Sequence, residues 1–372
     1  LVSIADHAEL KTDFSNQNRY NDKTCPKPQL TRLMKNTKLN RIRLSSRLAQ
    51  ATTGMAMAGA LILSGNGALG AAFTSGNLVV ERLGDGTETL GTTGNTIFFD
   101  EYNTTSTGQS PVQSIVIPDG NGHPGTPMIE AGTGGTTGNI TLSPDGQTIC
   151  FPGYAWNQGT TNVVTSSAST VVPRALGTLD GNGNYTRVAT STAAYSGSNI
   201  RGAATDGENN FWASGTASTT TVNAGVYYFG TAASAADVYS ANLRGLRIFN
   251  GALWFSTASS TPGYGVWNFP GQPTTASTPT QIIALTVNDS CYGFAVNPAG
   301  TVIYEADDGG GSAALAGIHK YTGSGTNWVQ QYILLNTGAS GTGCFGLVAD
   351  WTTTPPTLYA TTAATTFFQQ PD

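Results

Sequence analysis

Four segments of this chain repeat one phrase around a glycine: RGAATDGENNFWASG from Arg201, RGLRIFNGALWFSTA from Arg244, YGFAVNPAGTVIYEADD from Tyr292 and FGLVADWTTTPPTLYATTA from Phe345. The glycines are Gly202, Gly245, Gly293 and Gly346, giving steps of 43, 48 and 53 residues. Each segment reads as a short apolar strand, a tight turn and a second strand with an aromatic at a matching place: Trp212, Trp254, Tyr304 and Tyr359. A fifth copy, ITLSPDGQTICFPG from Ile140, has the same strand, Pro-Asp-Gly turn and strand. Third strands follow at Ile97, Arg174, Gly225, Gly265 and Gly317, and fourth strands at Val112, Tyr185, Thr280 and Trp328. The fourth strand near Ala235 to Ser240 is weak. Four antiparallel strands in about 43–60 residues is the period of a β-propeller blade, too small to bury its faces alone.

Counting units predicts an all-β, six-bladed propeller of four-stranded antiparallel blades, with seven blades as the alternative. The blades fall near 77–130, 139–190, 199–240, 242–286, 290–336 and 343–372. The first unit opens at NLVVERLGDG, which reads as a second strand and so lacks its innermost one. The last unit shows two strands, and the C-terminal closing strands are expected to be missing from the sequence, because a propeller closes by completing one blade from both ends.

Composition separates the leading residues from the repeats. Ten of the 17 Lys and Arg residues precede Gln50, and from Ala51 onward 7 basic residues face 18 acidic ones. A body that acidic is a poor match for nucleic acid. From Met34 a positive segment, an apolar run from Met55 to Leu63 and small residues around Ala68 to Ala72 follow one another, the layout of a secretory signal peptide. The expected division is an upstream extension that is not native over 1–33, a leader over 34–71 and the propeller over 72–372. The competing reading of the basic stretch is an amphipathic helix on a partner or membrane surface. The apolar run is too short for a membrane span. The expected location is periplasmic, cell-surface or extracellular, and the expected state is a monomer. Past the leader three cysteines remain, Cys150, Cys291 and Cys344. Buried free thiols and a pairing of the repeat-matched Cys291 and Cys344 are the two readings.

LSPDGQTICF, from Leu142 to Phe151, resembles the Ser-Pro-Asp-Gly hairpin of TolB-like and lactonase-like propellers. NLVVERLGDG, IFFDEY and NIRGAATDGENNFWASG resemble a group of exported bacterial propeller-like proteins of unassigned function, over most of Asn77 to Thr362. The resemblance implies the fold and says little of activity. In sugar-lactonase-like propellers the inner strands carry acidic and amide ligands for a divalent metal; here the matching positions hold Arg201, Arg244, Tyr292 and Phe345.

Those four are the candidate ligand-binding residues. Two roles compete at the arginines. Either the guanidiniums face an anionic or carbohydrate ligand, or they bond to the next blade and lock the ring. Tyr292 and Phe345 would make the rest of the mouth aromatic, which suits sugar stacking. Asp307 and Asp308, before three glycines, are candidate calcium ligands through oxygen. Asp180, Asn182 and Asn184 have calcium-loop spacing but read better as a hairpin turn. His123 and His319 are the histidines beyond the leader, and neither has a partner at triad spacing. The sequence therefore points to an exported propeller that binds a protein or carbohydrate, with no catalytic residue or obligatory cofactor assigned. The alternative is a carbohydrate- or lactone-acting hydrolase with calcium as its potential metal.

Overall fold

Strand β1 (Val2–Ala5) comes first in the chain. Sheet one holds β2 (Leu78–Leu83), β3 (Asn95–Tyr102) and β4 (Gln113–Val116). The two-residue β5 (Ile129–Glu130) bridges β3 to the second sheet, β6 (Thr141–Leu142), β7 (Thr148–Tyr154), β8 (Arg174–Asp180) and β9 (Tyr185–Ser191). The third contains β10 (Ile200–Thr205), β11 (Phe211–Gly215), β12 (Gly225–Tyr228) and β13 (Ala236–Tyr239). The fourth contains β14 (Leu246–Phe249), β15 (Ala252–Thr257), β16 (Gly265–Asn268) and β17 (Thr280–Ala284). The fifth contains β18 (Cys291–Val296), β19 (Val302–Asp307), β20 (Gly317–Ser324) and β21 (Asn327–Leu334). In the sixth, β22 (Cys344–Asp350) pairs with β23 (Thr357–Thr362), and β1 takes the third place. This computed structural model describes residues 2–5 and 70–363, apart from 106, 218–223, 231–234 and 335–342. The expected leader up to residue 69, and the upstream extension from residue 6 with Cys25, lie outside the described residues.

The architecture is all-β: antiparallel up-and-down sheets of the propeller-blade kind, six in number among the described residues. Among those residues the sixth sheet shares no hydrogen-bonded ladder with the first. Among the described residues β2 lies at the edge of sheet one, and the weak fourth strand of the third sheet is β13, four residues long. Val2–Ala5 lies within the expected upstream extension. It pairs antiparallel with β23 from Val2–Ala360 to Ala5–Thr357. Four residues are too few to show a strand period, and the unpaired edge of β23 supplies the backbone donors and acceptors that hold them. The described residues contain one helical turn, Ala313–Leu315, and no helix long and apolar enough to cross a membrane.

Local chemistry sets these hairpins. Between β14 and β15, Asn250 and Gly251 have φ of 47° and 70°, the two positive values a two-residue turn needs to follow strand twist. The core is divided into slabs between successive sheets. Phe99, Phe151 and Tyr185 fill the first. Tyr154, Phe211 and Tyr227 fill the second, and Trp212, Phe255 and Phe269 the third. Trp254, Phe294 and Tyr321 fill the fourth, and Tyr304, Leu347 and Leu358 the fifth. Each large side chain buried in this way contributes about 2 kcal/mol.

The repeat glycines have a steric cause. A Cβ on Gly202 would stand 3.2 Å from the Arg244 carbonyl oxygen and 2.6 Å from Ser214 Oγ. On Gly245 it would stand 2.8 Å from the Tyr292 oxygen, and on Gly293 2.6 Å from the Phe345 oxygen. Inner strands crowd one another near the axis, so each glycine makes room for the backbone of the next sheet.

Candidate functional site

In an up-and-down sheet the start of the inner strand, the link from second to third strand, and the crossover to the next sheet share one end. Arg201, Tyr292 and Phe345 sit at or near the starts of β10, β18 and β22, and Arg244 two residues before β14. Tyr154 closes β7 and Arg174 opens β8 across the second-to-third link, while Glu130 belongs to the crossover strand β5. The antiparallel path therefore gathers these residues at a common end.

The four sequence candidates form a string. Arg201 Nη1 donates to Asn242 Oδ1 at 2.6 Å and to the Leu243 carbonyl at 3.0 Å. Arg244 Nη1 donates to Ser290 Oγ at 2.9 Å and to the Cys291 carbonyl at 3.3 Å. The Arg244 guanidinium lies 3.9 Å from the centre of the Tyr292 ring, and that ring meets Phe345 edge-on at 4.6 Å. Each arginine thus bonds to the start of the following inner strand, the ring-locking role. Two buried serines reinforce it: Ser214 Oγ donates to the Arg244 carbonyl and Ser256 Oγ to the Tyr292 carbonyl, both at 2.5 Å. Burial, then the neighbouring charge of Arg244, lowers Arg201 to about 10, so it stays cationic at neutral pH.

Beyond Arg201 the string continues into residues the sequence did not mark. Arg174 is fully buried, its Nη1 on the Val172 carbonyl at 2.6 Å and Nη2 on Thr165 and Ser198 carbonyls at 3.0 and 2.7 Å. Its guanidinium lies 5.3 Å from the centre of the Tyr154 ring. Burial and then the charge of Glu130 push the Tyr154 hydroxyl well up. Glu130 is fully buried; its Oε1 accepts from the Ala131 amide at 2.7 Å. Burial, then repulsion from Glu81, holds its carboxyl well above the usual range. Glu81, midway along β2, keeps a partly exposed stem but buries both carboxylate oxygens, and burial lifts its pKa to about 8. Polar atoms left without a hydrogen-bond partner collect here: both Glu81 oxygens, Glu130 Oε2, the Tyr154 hydroxyl, and Nε of Arg174 and Arg201. Buried polar groups are normally satisfied, so this concentration singles the cluster out as the candidate site.

Solved structures with this architecture include the periplasmic gluconolactonase PpgL of Pseudomonas aeruginosa, at 13% identity and TM-score 0.42, covering 74% of this chain and 73% of that one. TolB from Acinetobacter baumannii matches at 13% identity and TM-score 0.38, over 69% of this chain and 52% of its own. A gluconolactonase from Xanthomonas campestris matches at 12% and 0.32, over 53% and 63%. The chain is similar to lactonase-like and TolB-like propellers. No protein-family model matches it, and no curated sequence does.

Asp307 and Asp308 are not presented together as a ligand pair. Asp307 Oδ2 accepts from the Ser290 amide at 2.6 Å and Oδ1 from the Gly309 amide at 2.7 Å, and burial raises it to about 6. Asp308 Oδ1 accepts from the Gly310 amide at 2.8 Å, and its charge acts on the Tyr292 hydroxyl, which burial raises to about 12. Both Asp307 oxygens and Asp308 Oδ1 thus accept backbone N–H groups. Asp180, read as a turn residue, accepts from the Asn182 and Asn184 amides as a turn residue does. Cys150, Cys291 and Cys344 are buried and free.

His319 belongs to a different interior site. Its Nε2 faces the Leu315 carbonyl at 2.7 Å, and its Nδ1 stands 3.1 Å from Glu305 Oε2, off the line of a hydrogen bond. Burial depresses its pKa, but the carboxylate of Glu305 outweighs that and lifts it to about 9. The result is a fully buried ion pair between β19 and β20.

Proposed function

We propose that this chain is an exported propeller that acts, at the buried polar cluster around Glu81, on a small carbohydrate or sugar lactone, with Glu81 as the proton-transferring group. One observation carries the reading: a carboxyl with both oxygens buried and unpartnered, which burial pushes up to about 8. General acid–base work needs a group that ionises close to the working pH, and burial is the ordinary way to tune a glutamate there. Glu130, held protonated, can donate a hydrogen bond to a substrate oxygen. The Tyr154 hydroxyl and Arg201 Nε are the donors available to an oxygen that gains negative charge during attack on a carbonyl. Export rests on the leader-like layout over 34–71.

The test is hydrolysis of glucono-δ-lactone followed by proton release, with and without calcium or a chelator. Glu81→Gln is expected to lower kcat/KM by about 100-fold or more, and the wild-type rate to change across pH 8. Unchanged turnover in Glu81→Gln sinks the catalytic role. A second reading, binding without chemistry, is favoured by the bonds of Arg201 and Arg244 to the next sheet, which make the mouth a rigid frame. It predicts saturable binding of a sugar by the wild type and by Glu81→Gln alike, with turnover in neither.

A further inference from the structure

A cleft of about 310 Å³ is lined by Pro127, Ala155, Trp156, Asn157, Thr160 and Arg187. We propose that it is a separate binding site for an acidic sugar unit, such as a uronate or aldonate. The inference does not depend on Glu81.

The lining divides by chemistry. Pro127, Ala155 and the Trp156 indole supply apolar surface of the kind on which a sugar ring packs. Asn157 is exposed and Thr160 half-buried, placing polar groups at the rim. Arg187 Nη1 is spent on the Pro127 carbonyl at 2.6 Å, which fixes the guanidinium in the wall. Its Nε and Nη2 bond to no described residue, leaving N–H groups for a carboxylate. The volume lies at the small end of ligand pockets, a size for one ring rather than an oligosaccharide or a peptide.

Both walls are held in place before any ligand arrives. Trp156 Nε1 donates to Thr160 Oγ1 at 2.7 Å, and the Gln158 amide to the Asp119 carbonyl at 2.8 Å. The Asp119 side chain accepts the Asn121, Gly122 and His123 amides on Oδ1, and Thr96 Oγ1 and His123 Nδ1 meet its Oδ2. Burial raises its pKa, but these donors, His123 foremost, bring it down to about 2, so the loop keeps its ionised anchor. A preformed cleft with a fixed cation needs little ordering on binding.

Isothermal titration of the full chain with D-glucuronate, and with methyl glucoside as the neutral counterpart, tests this. Saturable binding of glucuronate is expected, about tenfold tighter than the glucoside. Arg187→Lys keeps a charge but loses the fork, and should weaken glucuronate about tenfold. Should that variant fold poorly, Asn157→Ala removes an exposed side chain with no hydrogen bond and should weaken binding at an unchanged melting temperature. Glu81→Gln should leave glucuronate affinity as it is. Absent glucuronate binding, equal affinity for the neutral glucoside, indifference to both cleft variants, or loss in Glu81→Gln alone would each overturn the proposal. The last would move the ligand to the Glu81 cluster.

Discussion

Arg244 holds its guanidinium 3.9 Å from the centre of the Tyr292 ring while its Nη1 reaches the Cys291 carbonyl one residue earlier on the same strand. Stacking and hydrogen bonding therefore act on one short segment, where β18 begins. Arg244→Ala should cost about 2–3 kcal/mol, from a lost charged hydrogen bond plus a cation–π contact. Urea unfolding of the single and the Arg201→Ala/Arg244→Ala variants checks this. Full stability with loss of ligand binding would instead make the arginines ligand groups.

Gly245 and Gly251 separate two reasons for glycine. At Gly245 the obstacle to a Cβ is the Tyr292 backbone, which cannot step aside, so Gly245→Ala should cost about 3 kcal/mol. Gly251 has open space around it and φ of 70°, so Gly251→Ala pays only backbone strain, about 1 kcal/mol. Equal melting temperatures for the two variants would contradict the crowding at the axis.

Glu81 makes stability fall as pH rises. Its folded pKa of about 8 exceeds the ordinary 4.5, so between those values the folded chain keeps a proton that the unfolded chain has released. Stability from this group is full below about pH 4.5 and lost as pH passes 8. Asp307, raised to about 6, adds the same sign between 3.8 and 6. Glu81→Gln should flatten the neutral part of the curve, read by urea midpoints from pH 5 to 9. A wild-type curve that rises across this range would refute the assignment.

The buried His319–Glu305 pair acts higher up. His319 moves from 6.5 to about 9 on folding, so its stabilisation is complete below pH 6.5 and lost as pH rises through 9. The shift corresponds to about 3 kcal/mol. His319→Gln with Glu305→Gln, which replaces the ions by neutral amides, should remove the pH dependence over that window. His319→Gln alone should be the least stable at pH 7, because it strands a carboxylate in the interior.

Where the repeat governs, the strands were readable to the residue: RALGTLD and YTRVATS are β8 and β9 from end to end. The latching serines were also within reach, since Ser214 and Ser256 each follow the repeat tryptophan by two places. Glu81, Glu130 and Tyr154 were not. One sits in mid-strand, one in a crossover and one at a strand end, so no alignment of blades superposes them. Only the fold brings their side chains near one another. The arginines show the opposite case: their pairing was plain in the sequence, but their direction, toward the next sheet, depends on backbone carbonyls that carry no sequence signal.

That direction has a consequence for how the protein is made. Arg201 waits for a carbonyl 42 residues downstream and Arg244 for one 47 downstream, while Ser214 reaches 30 residues ahead. At about 5–20 residues per second on a ribosome, each fastening stays open for roughly 2–9 s after its donor is synthesised. These three fastenings run from N-terminus to C-terminus, so each finished strand holds a donor for a stretch of chain that has yet to emerge.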